Sequence, residues 1–524
     1  MNVRKFAYIT PLLILFLEMF SSCELLRPVR PKVGEKNIIS FTIDGVAGTI
    51  VGTNISVILP VGSSLLNKVP VIVISERATI SPASGVAQDF TNPVTYTVTA
   101  DDYTTKDYLV TVSSGELLKW AKSFGGTNYD YAYSIQQTSD GGYIMAGFVY
   151  STDGDVTFNH GDADYWIVKV DPAGSLLWQK SLGGSSYEYA NAIKQTSDSG
   201  YIVAGYSASS DGDVSANHGE EDYWIVKLDQ DGNIIWEKSL GGSSYDEAYD
   251  VQQTSDGGYI VVGASRSSDG DVTGNHGWLD YWIVKLDSSG NITWEKSFGG
   301  STHDGAYAVQ QSADSGYIVV GYSESVDGNI TNPHGSSDYW VIKLDSSGNM
   351  TWQKSFGGSD SELAYSVRQT TDGGYIVSGG SYSTDGDITN NHGGQDFWVI
   401  KLDSSGTLTW EKSFGGSGDE GAYSVEQAND GNYVLGGFAS SSDGDVTANY
   451  GSNDYWIVKI DQSANIIFEK NFGGMSIDEG RSLKQTSDGG YIMIGASASS
   501  DGDVTDNHGS HDYWVLKLDT NLEL

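Results

Sequence analysis

The chain has 524 residues, of which 39% are hydrophobic and 12% aromatic, and its 68 acidic and 29 basic side chains give a net charge of −39. So acidic a surface repels phosphate backbones, which argues against nucleic acid as a partner. The aromatic content argues against a disordered acidic chain, and the single cysteine excludes disulfides within the chain.

Residues 1–22 have the pattern of an export signal. Arg4 and Lys5 precede an apolar stretch over residues 6–20, and Ser21 and Ser22 precede Cys23. A lone cysteine at this place resembles the lipobox of bacterial lipoproteins, which implies lipidation of Cys23, palmitate included, and an outer-membrane lipoprotein. The alternative is an ordinary signal peptide with an incidental cysteine. Residues 23–36 then form a lipid-anchored tether, and no later stretch is apolar enough to span a bilayer.

Residues 37–114 consist of short alternating runs separated by Gly, Pro, Asn and Ser, which is typical of a small β-sandwich. The segment 78–101, ATISPASGVAQDFTNPVTYTVTAD, resembles cadherin-like modules near the N-terminus of Bacteroidetes surface lipoproteins. That resemblance implies that residues 37–114 are a spacer module.

Residues 115–524 contain seven copies of a 58-residue segment without insertion or deletion. In the third copy the pattern predicts strands over Ala248–Thr254, Tyr259–Ser265, Asp280–Asp287 and Ile292–Gly299, joined by turns of hairpin type. Seven units of four strands indicate an all-β, seven-bladed β-propeller. The aromatic residues that open the copies are Trp120, Trp178, Trp236, Trp294, Trp352, Trp410 and Phe468.

The two ends of the array indicate how the ring closes. The last copy stops after the strand Asp512–Asp519, and a spare strand, Leu117–Gly125, precedes the first copy. Pairing these two strands completes one blade and leaves no open edge. Strings such as GGYIVVGASRSSDGDV and DYWIVKLDSSGNITWEKSFGG resemble the SBBP-type propeller repeats of secreted bacterial proteins. The resemblance implies a fold and an extracytoplasmic setting but no single activity.

Thirteen of the 14 tryptophans occupy repeated framework positions, where we expect them to pack between blades. Trp278 is the exception. Together with Leu279 it puts an apolar pair into a loop that is polar in the other copies, which makes both residues candidates for ligand contact. The alternative is that the pair folds onto its own blade.

The loop between the second and third strands of each copy follows the pattern S-D-G-D-V-T-x-N-H-G-x-x-D. Hard oxygen ligands at this density suit Ca²⁺, although the spacing does not match an EF-hand. The alternatives are that Asp, Asn and Gly only build turns and that each His pairs with the following Asp. The candidate calcium ligands are Asp153, Asp155, Asp164, Asp211, Asp213, Asp222, Asp269, Asp271, Asp280, Asp385, Asp387, Asp396, Asp443, Asp445, Asp454, Asp501, Asp503 and Asp512.

No P-loop, HExxH pair or nucleophile elbow occurs, and the unique ionisable candidates are His303, His511 and Arg266. The sequence therefore favours a non-catalytic lipoprotein of the bacterial envelope, surface-exposed or periplasmic. Its propeller would serve as a binding or adhesion scaffold for polysaccharide or an envelope protein, with Ca²⁺ as the one candidate cofactor. The alternatives are a polysaccharide hydrolase or lyase with its site at the propeller mouth, and a purely structural scaffold.

Overall fold

A computed structural model describes residues 34–59, 63–115, 117–520 and 522. The predicted export signal and Cys23 lie outside these residues. Within the described part of the chain, no helix is long and apolar enough to cross a membrane. The chain divides into two compact units, and the boundary falls between Gly115 and Glu116.

The N-terminal unit is a two-sheet sandwich, as the alternating runs predict. One sheet has the order β2-β1-β5 and the other the order β3-β4-β8-β7-β6. Side chains alternate between core and solvent, so that Ile55, Val57 and Leu59 of β4 are buried while their neighbours are exposed. The strands are β1 (Ile38–Ile43), β2 (Val46–Ala47), β3 (Thr49–Val51), β4 (Asn54–Leu59), β5 (Pro70–Ile74), β6 (Thr79–Ser81), β7 (Val94–Thr99) and β8 (Thr105–Ser114).

The C-terminal unit is a seven-bladed β-propeller, which confirms the predicted fold class. Each blade is a four-stranded antiparallel sheet, and the first strands of successive blades contact one another around the central channel. The first strands are β10 (Asp130–Gln137), β14 (Glu188–Gln195), β18 (Asp246–Gln253), β22 (Asp304–Gln311), β26 (Glu362–Gln369), β30 (Glu420–Gln427) and β34 (Asp478–Gln485). The second strands are β11 (Tyr143–Val149), β15 (Tyr201–Ser207), β19 (Tyr259–Ser265), β23 (Tyr317–Ser323), β27 (Tyr375–Ser381), β31 (Tyr433–Ala439) and β35 (Tyr491–Ser497).

The second and third strands are the most buried elements, because neighbouring blades cover both of their faces. The third strands are β12 (Asp164–Val170), β16 (Asp222–Leu228), β20 (Asp280–Leu286), β24 (Asp338–Leu344), β28 (Asp396–Leu402), β32 (Asp454–Ile460) and β36 (Asp512–Leu518). The fourth strands are β13 (Leu176–Leu182), β17 (Ile234–Leu240), β21 (Ile292–Phe298), β25 (Met350–Phe356), β29 (Leu408–Phe414), β33 (Ile466–Phe472) and β9 (Leu118–Phe124).

The seventh blade is built from both ends of the propeller, as predicted. Strand β9 pairs with β36 in the register that places Phe124 opposite Tyr513 and Trp120 opposite Lys517. The first blade then contacts the seventh through β10 and β35, so the ring is closed. In the third copy the first strand begins two residues earlier than predicted, because its pairing with β19 extends back to Asp246.

Neighbouring blades are joined by a repeated contact that we call the Tyr–Trp lock. The hydroxyl of Tyr223 in β16 donates to the carbonyl oxygen of Trp282 in the next blade at 2.9 Å, and the two rings lie 4.5 Å apart. A Cβ on Gly263 of β19 would come within 2.6 Å of this hydroxyl, so the contact requires glycine there. The other locks that keep the hydroxyl are Tyr165–Trp224, Tyr281–Trp340, Tyr339–Trp398, Tyr455–Trp514 and Tyr513–Trp166.

The tryptophans that open the copies are part-buried and seal the outer edge of the ring. Trp236 packs edge-on against Tyr259 of the next blade, with ring centroids 5.8 Å apart. Gly290, in the turn between the third and fourth strands of that blade, lies over the same indole. The framework role predicted for these tryptophans is confirmed.

The fifth interface offers a natural test of the lock, because Phe397 stacks on Trp456 at 4.6 Å but has no hydroxyl. We expect Phe397→Tyr to raise the free energy of unfolding by roughly 1 kcal/mol through the added hydrogen bond, and Tyr339→Phe to lower it by about the same amount. Urea unfolding of both variants measures these changes. Equal and negligible effects would contradict a stabilising role for the hydroxyl.

Candidate functional site

The long loops and the loops between blades lie at the same end of the propeller, which we call the loop face. Asp155 of a long loop donates its backbone N–H to the carbonyl oxygen of Gly125 at 2.9 Å. Gly125 follows β9 and starts the loop that leads to the first blade. The same contact recurs around the ring, for example from Asp213 to Gly183.

The first two aspartates of each long loop accept hydrogen bonds from the backbone of the preceding interblade loop. Asp269 Oδ1 accepts from the N–H of Ser243 at 2.7 Å, and Asp271 Oδ2 accepts from the N–H of Gly241 at 3.3 Å. Asn329 replaces the second aspartate in the fourth copy and accepts from Gly299 in the same way. This arrangement is the turn-building role that was the alternative to calcium ligation.

The third aspartate of each loop is buried, and in six copies it is held by the histidine four residues before it. In the third copy, Asp280 Oδ2 lies 2.6 Å from His276 Nδ1 and accepts from the His276 backbone N–H at 2.8 Å. The sixth copy has Tyr450 instead, so Asp454 keeps only the backbone hydrogen bond, at 2.6 Å.

The other oxygen of each third aspartate is buried without a hydrogen-bond partner among the described residues. It lies beside a second buried carboxyl, which opens the first strand of the next blade. Asp222 Oδ1 and Asp246 Oδ2 lie 2.5 Å and 2.6 Å from the place that a Cβ on Gly241 would occupy. The seven carboxyl pairs are Asp512–Asp130, Asp164–Glu188, Asp222–Asp246, Asp280–Asp304, Asp338–Glu362, Asp396–Glu420 and Asp454–Asp478.

The structure therefore divides the three aspartates of one loop between two blade interfaces. In the second copy, Asp211 and Asp213 contact the blade before theirs, whereas Asp222 faces the blade after it. Among the described residues, no group of three or more His, Cys, Asp or Glu has the geometry to hold a metal ion. Calcium binding by these loops stays a prediction.

Trp278 lies on the loop face and is 54% exposed. The Arg266 guanidinium lies over its indole, with Cζ 4.6 Å from a ring centroid, and the His303 ring lies 5.9 Å away. Leu279 is half-buried, and its backbone pairs with the next interblade loop at His303. The indole is thus held by a cation while more than half of its surface faces solvent.

The sequence interpretation missed a set of side chains at the loop-face mouth of the channel, which we call the tyrosine cup. Each first strand has a β-bulge, as between Ala248 and Asp250, where one extra residue interrupts the pairing. The residue at this position, Tyr249 in the third blade, turns toward the channel. The cup encloses about 310 Å³ and is lined by Tyr133, Asn191, Tyr206, Tyr249, Tyr307, Tyr365, Tyr423 and Arg481.

The wall of the cup is a continuous series of ring contacts. The centroids of Tyr249 and Tyr307 are 5.0 Å apart, those of Tyr307 and Tyr365 are 5.4 Å apart, and those of Tyr365 and Tyr423 are 4.6 Å apart. Arg481 Cζ then lies 4.0 Å from the Tyr423 centroid. Burial raises the pKa of these phenols, so they are neutral at pH 7.

Two acidic positions beside the cup break the sevenfold pattern. Arg481 donates to Glu479 Oε2 at 2.8 Å and to the Tyr131 hydroxyl at 2.8 Å. Glu221 accepts from the Tyr187 hydroxyl at 2.6 Å. Burial raises the pKa of Glu221 to about 7, and the neighbouring Glu247 carboxylate adds to the rise. The signal that could have revealed the cup was the tyrosine at one repeated position, replaced only by Asn191 and Arg481.

Comparison with known proteins finds a family match for the N-terminal unit. Residues 38–112 match the family model described as SGBP, N-terminal. The model belongs to a class of starch- and glycan-binding proteins, whereas the sequence resemblance had indicated a cadherin-like module.

The curated relatives overlap the chain only in part. The regulatory protein FlaEY of Caulobacter vibrioides is 24% identical over 384 residues, which cover 65% of this chain and 40% of that protein. An uncharacterised WD repeat protein of Acanthamoeba polyphaga mimivirus is 28% identical over 113 residues, which cover 20% of this chain and 8% of that protein. The chain thus spans less than half the length of the curated relatives that it matches.

Similar solved structures include the extracellular domain of a hybrid two-component system from Bacteroides thetaiotaomicron. Its TM-score is 0.42 and its sequence identity is 11%. The match covers 89% of this chain and 53% of the chain of that structure. The Pan2 WD40 domain of Neurospora crassa also has a TM-score of 0.42, with 10% identity, covering 75% of this chain and 89% of its own.

The carboxyl pairs predict that the protein is more stable at mildly acidic pH than at neutral pH. Burial raises the pKa of Asp246, Asp396, Asp454 and Asp512 to about 6, above the unfolded value of 3.8. The folded state therefore binds protons more strongly between these values, and stability increases as pH falls from 7 toward 5. We expect the Tm at pH 5 to exceed that at pH 7.5 by several degrees.

Asp454→Asn provides the variant for this test, because an amide imitates the protonated acid and keeps the acceptor for the Tyr450 N–H. We expect it to raise the Tm at pH 7.5 and to reduce the pH dependence of the Tm, whereas Asp231→Asn in an exposed turn changes neither.

The same thermal scans with millimolar Ca²⁺ test the calcium prediction. A rise in Tm at pH 7.5 that EDTA reverses would indicate that cations rather than protons lie between the carboxyls.

Proposed function

We propose that the protein is a non-catalytic glycan-binding protein of the bacterial cell envelope, with the propeller as its binding scaffold. The match of residues 38–112 to the SGBP N-terminal family carries this proposal. A glycan-binding role at the surface agrees with that match, and the propeller adds a second, larger unit with aromatic groups exposed on one face.

The chemistry of the loop face supports a carbohydrate partner. A sugar ring has apolar C–H faces and polar edges, and aromatic side chains with polar groups nearby match both. Trp278, over Arg266, and the tyrosine cup both supply such surfaces. The net charge of −39 disfavours strongly anionic partners. A polysaccharide is therefore the proposed partner, ahead of an envelope protein or a purely structural role.

The proposed location is the outer membrane, through lipidation of Cys23. Lipidation rests on the sequence of residues 1–23, and a family of bacterial surface proteins agrees with it. Acyl chains on Cys23 would hold the folded units at the membrane without a spanning segment. Mass spectrometry of the N-terminal peptide tests this anchor, because an unmodified Cys23 would contradict it.

A second candidate function, glycoside hydrolysis, is favoured by one observation, the pair Glu221 and Glu247 beside the cup. A carboxylic acid next to a second carboxyl can act as the proton donor in this reaction. The pKa of Glu221 near 7 would keep it protonated about half of the time at neutral pH. Glu247 accepts from the Tyr249 hydroxyl, which ties the pair to the wall of the cup.

Glycan binding predicts retention of the purified chain on an array of envelope and plant polysaccharides. We expect Trp278→Ala to weaken glycan binding about tenfold, because a tryptophan near the centre of a binding interface contributes a large share of the binding free energy. Tyr450→Ala removes another exposed aromatic residue of a long loop, 49% exposed, and serves as the matched control. Equal retention of both variants would exclude Trp278 from the contact.

Non-catalytic binding predicts that the protein releases no reducing ends from the polysaccharides that it retains. Glu221→Gln distinguishes the two functions, because it removes the titrating proton and keeps the shape of the side chain. Release of reducing ends by the natural protein, lost in Glu221→Gln with the Tm unchanged, would establish the hydrolase function instead.

A further inference from the structure

We infer that the tyrosine cup is an end-on binding site for the terminal units of an uncharged glycan chain. This inference rests on the proposed function and adds the site, the direction of entry and the class of sugar. Several hydroxyl groups of the cup have no hydrogen-bond partner among the described residues.

Some polar groups of the cup make no hydrogen bond to other described residues. Within the described part of the chain, the hydroxyls of Tyr133, Tyr307 and Tyr365 make no hydrogen bond to side chain or backbone. Asn191 Nδ2 donates to the carbonyl oxygen of Ala248 at 2.7 Å, which leaves the Asn191 amide oxygen as an acceptor. Partly buried polar groups normally have partners, so these groups indicate a hydrogen-bonding ligand or water in its place.

The shape of the cup determines how a chain can enter. Its walls come from the first strands of all seven blades, together with Tyr206 from the second strand β15, so side chains surround it laterally while it stays open at the mouth. Its volume of about 310 Å³ is at the low end for small-molecule pockets. A polysaccharide therefore fits by its end, whereas the middle of a long chain cannot pass sideways through the wall.

The charges favour an uncharged sugar. The guanidinium of Arg481 is neutralised by Glu479 at 2.8 Å, and Glu247 adds a further carboxylate beside Tyr249. A uronic acid or sulfate would meet these carboxylates in a partly desolvated site without a free cation to match it. The aromatic wall and the hydroxyls instead match the C–H faces and hydroxyls of a neutral pyranose.

Calorimetric titration of the purified full chain tests the site with linear neutral hexasaccharides of glucose, mannose and galactose, a hexamer of galacturonic acid, and a cyclic gluco-oligosaccharide without ends. The double variant Tyr307→Phe with Tyr365→Phe removes two hydroxyls that make no hydrogen bond among the described residues, so the Tm should not change. Tyr450→Phe on the loop face is the matched control.

We expect a neutral linear hexasaccharide to bind, the double variant to raise its Kd about tenfold through two lost hydrogen bonds, and the control to leave it unchanged. The cyclic and acidic probes should not bind. Binding that the double variant does not weaken would overturn the cup as the site while glycan binding by the chain stands. Equal affinity for cyclic and linear glucans would overturn end-on entry, and a chain that binds none of the sugars would overturn the proposed function with it.

Discussion

The propeller depends on one contact between blades, the Tyr–Trp lock. At six of the seven interfaces a phenol from a third strand reaches the backbone of the next blade, and its close approach requires glycine in the second strand, as at Gly263. A residue added within a blade would shift the tyrosine, the tryptophan and the glycine out of register together. The constant spacing of these residues within their strands follows from this constraint.

The period and the turn residues made the ring, its four-stranded blades and its closure by β9 predictable. The partners of the loop aspartates were not predictable in the same way, because they belong to different copies. Asp222 pairs with Asp246 of the following blade, while Asp213 bonds to Gly183 of the loop before it. A consensus written for one copy groups these carboxylates in one loop, whereas their partners lie in two different interblade loops.

The tyrosine cup was hidden for a different reason. Alternation along a strand predicts which side chains face a neighbouring blade, but a bulge adds a residue and resets the alternation. Tyr249 and Arg481 sit at this extra residue, so their direction follows from the pairing register rather than from the sequence pattern. Six of the 32 tyrosines line the cup, and composition alone does not distinguish them from the others.

The bulge also separates what holds the ring from what faces the channel. The lock uses the second and third strands, whereas the bulged residue is one position in each first strand and takes no part in the lock. Asn191 and Arg481 show that this position accepts residues as different as an amide and a guanidinium within one ring. The mouth of the channel therefore has seven equivalent positions that can change one at a time while the scaffold between the blades stays fixed.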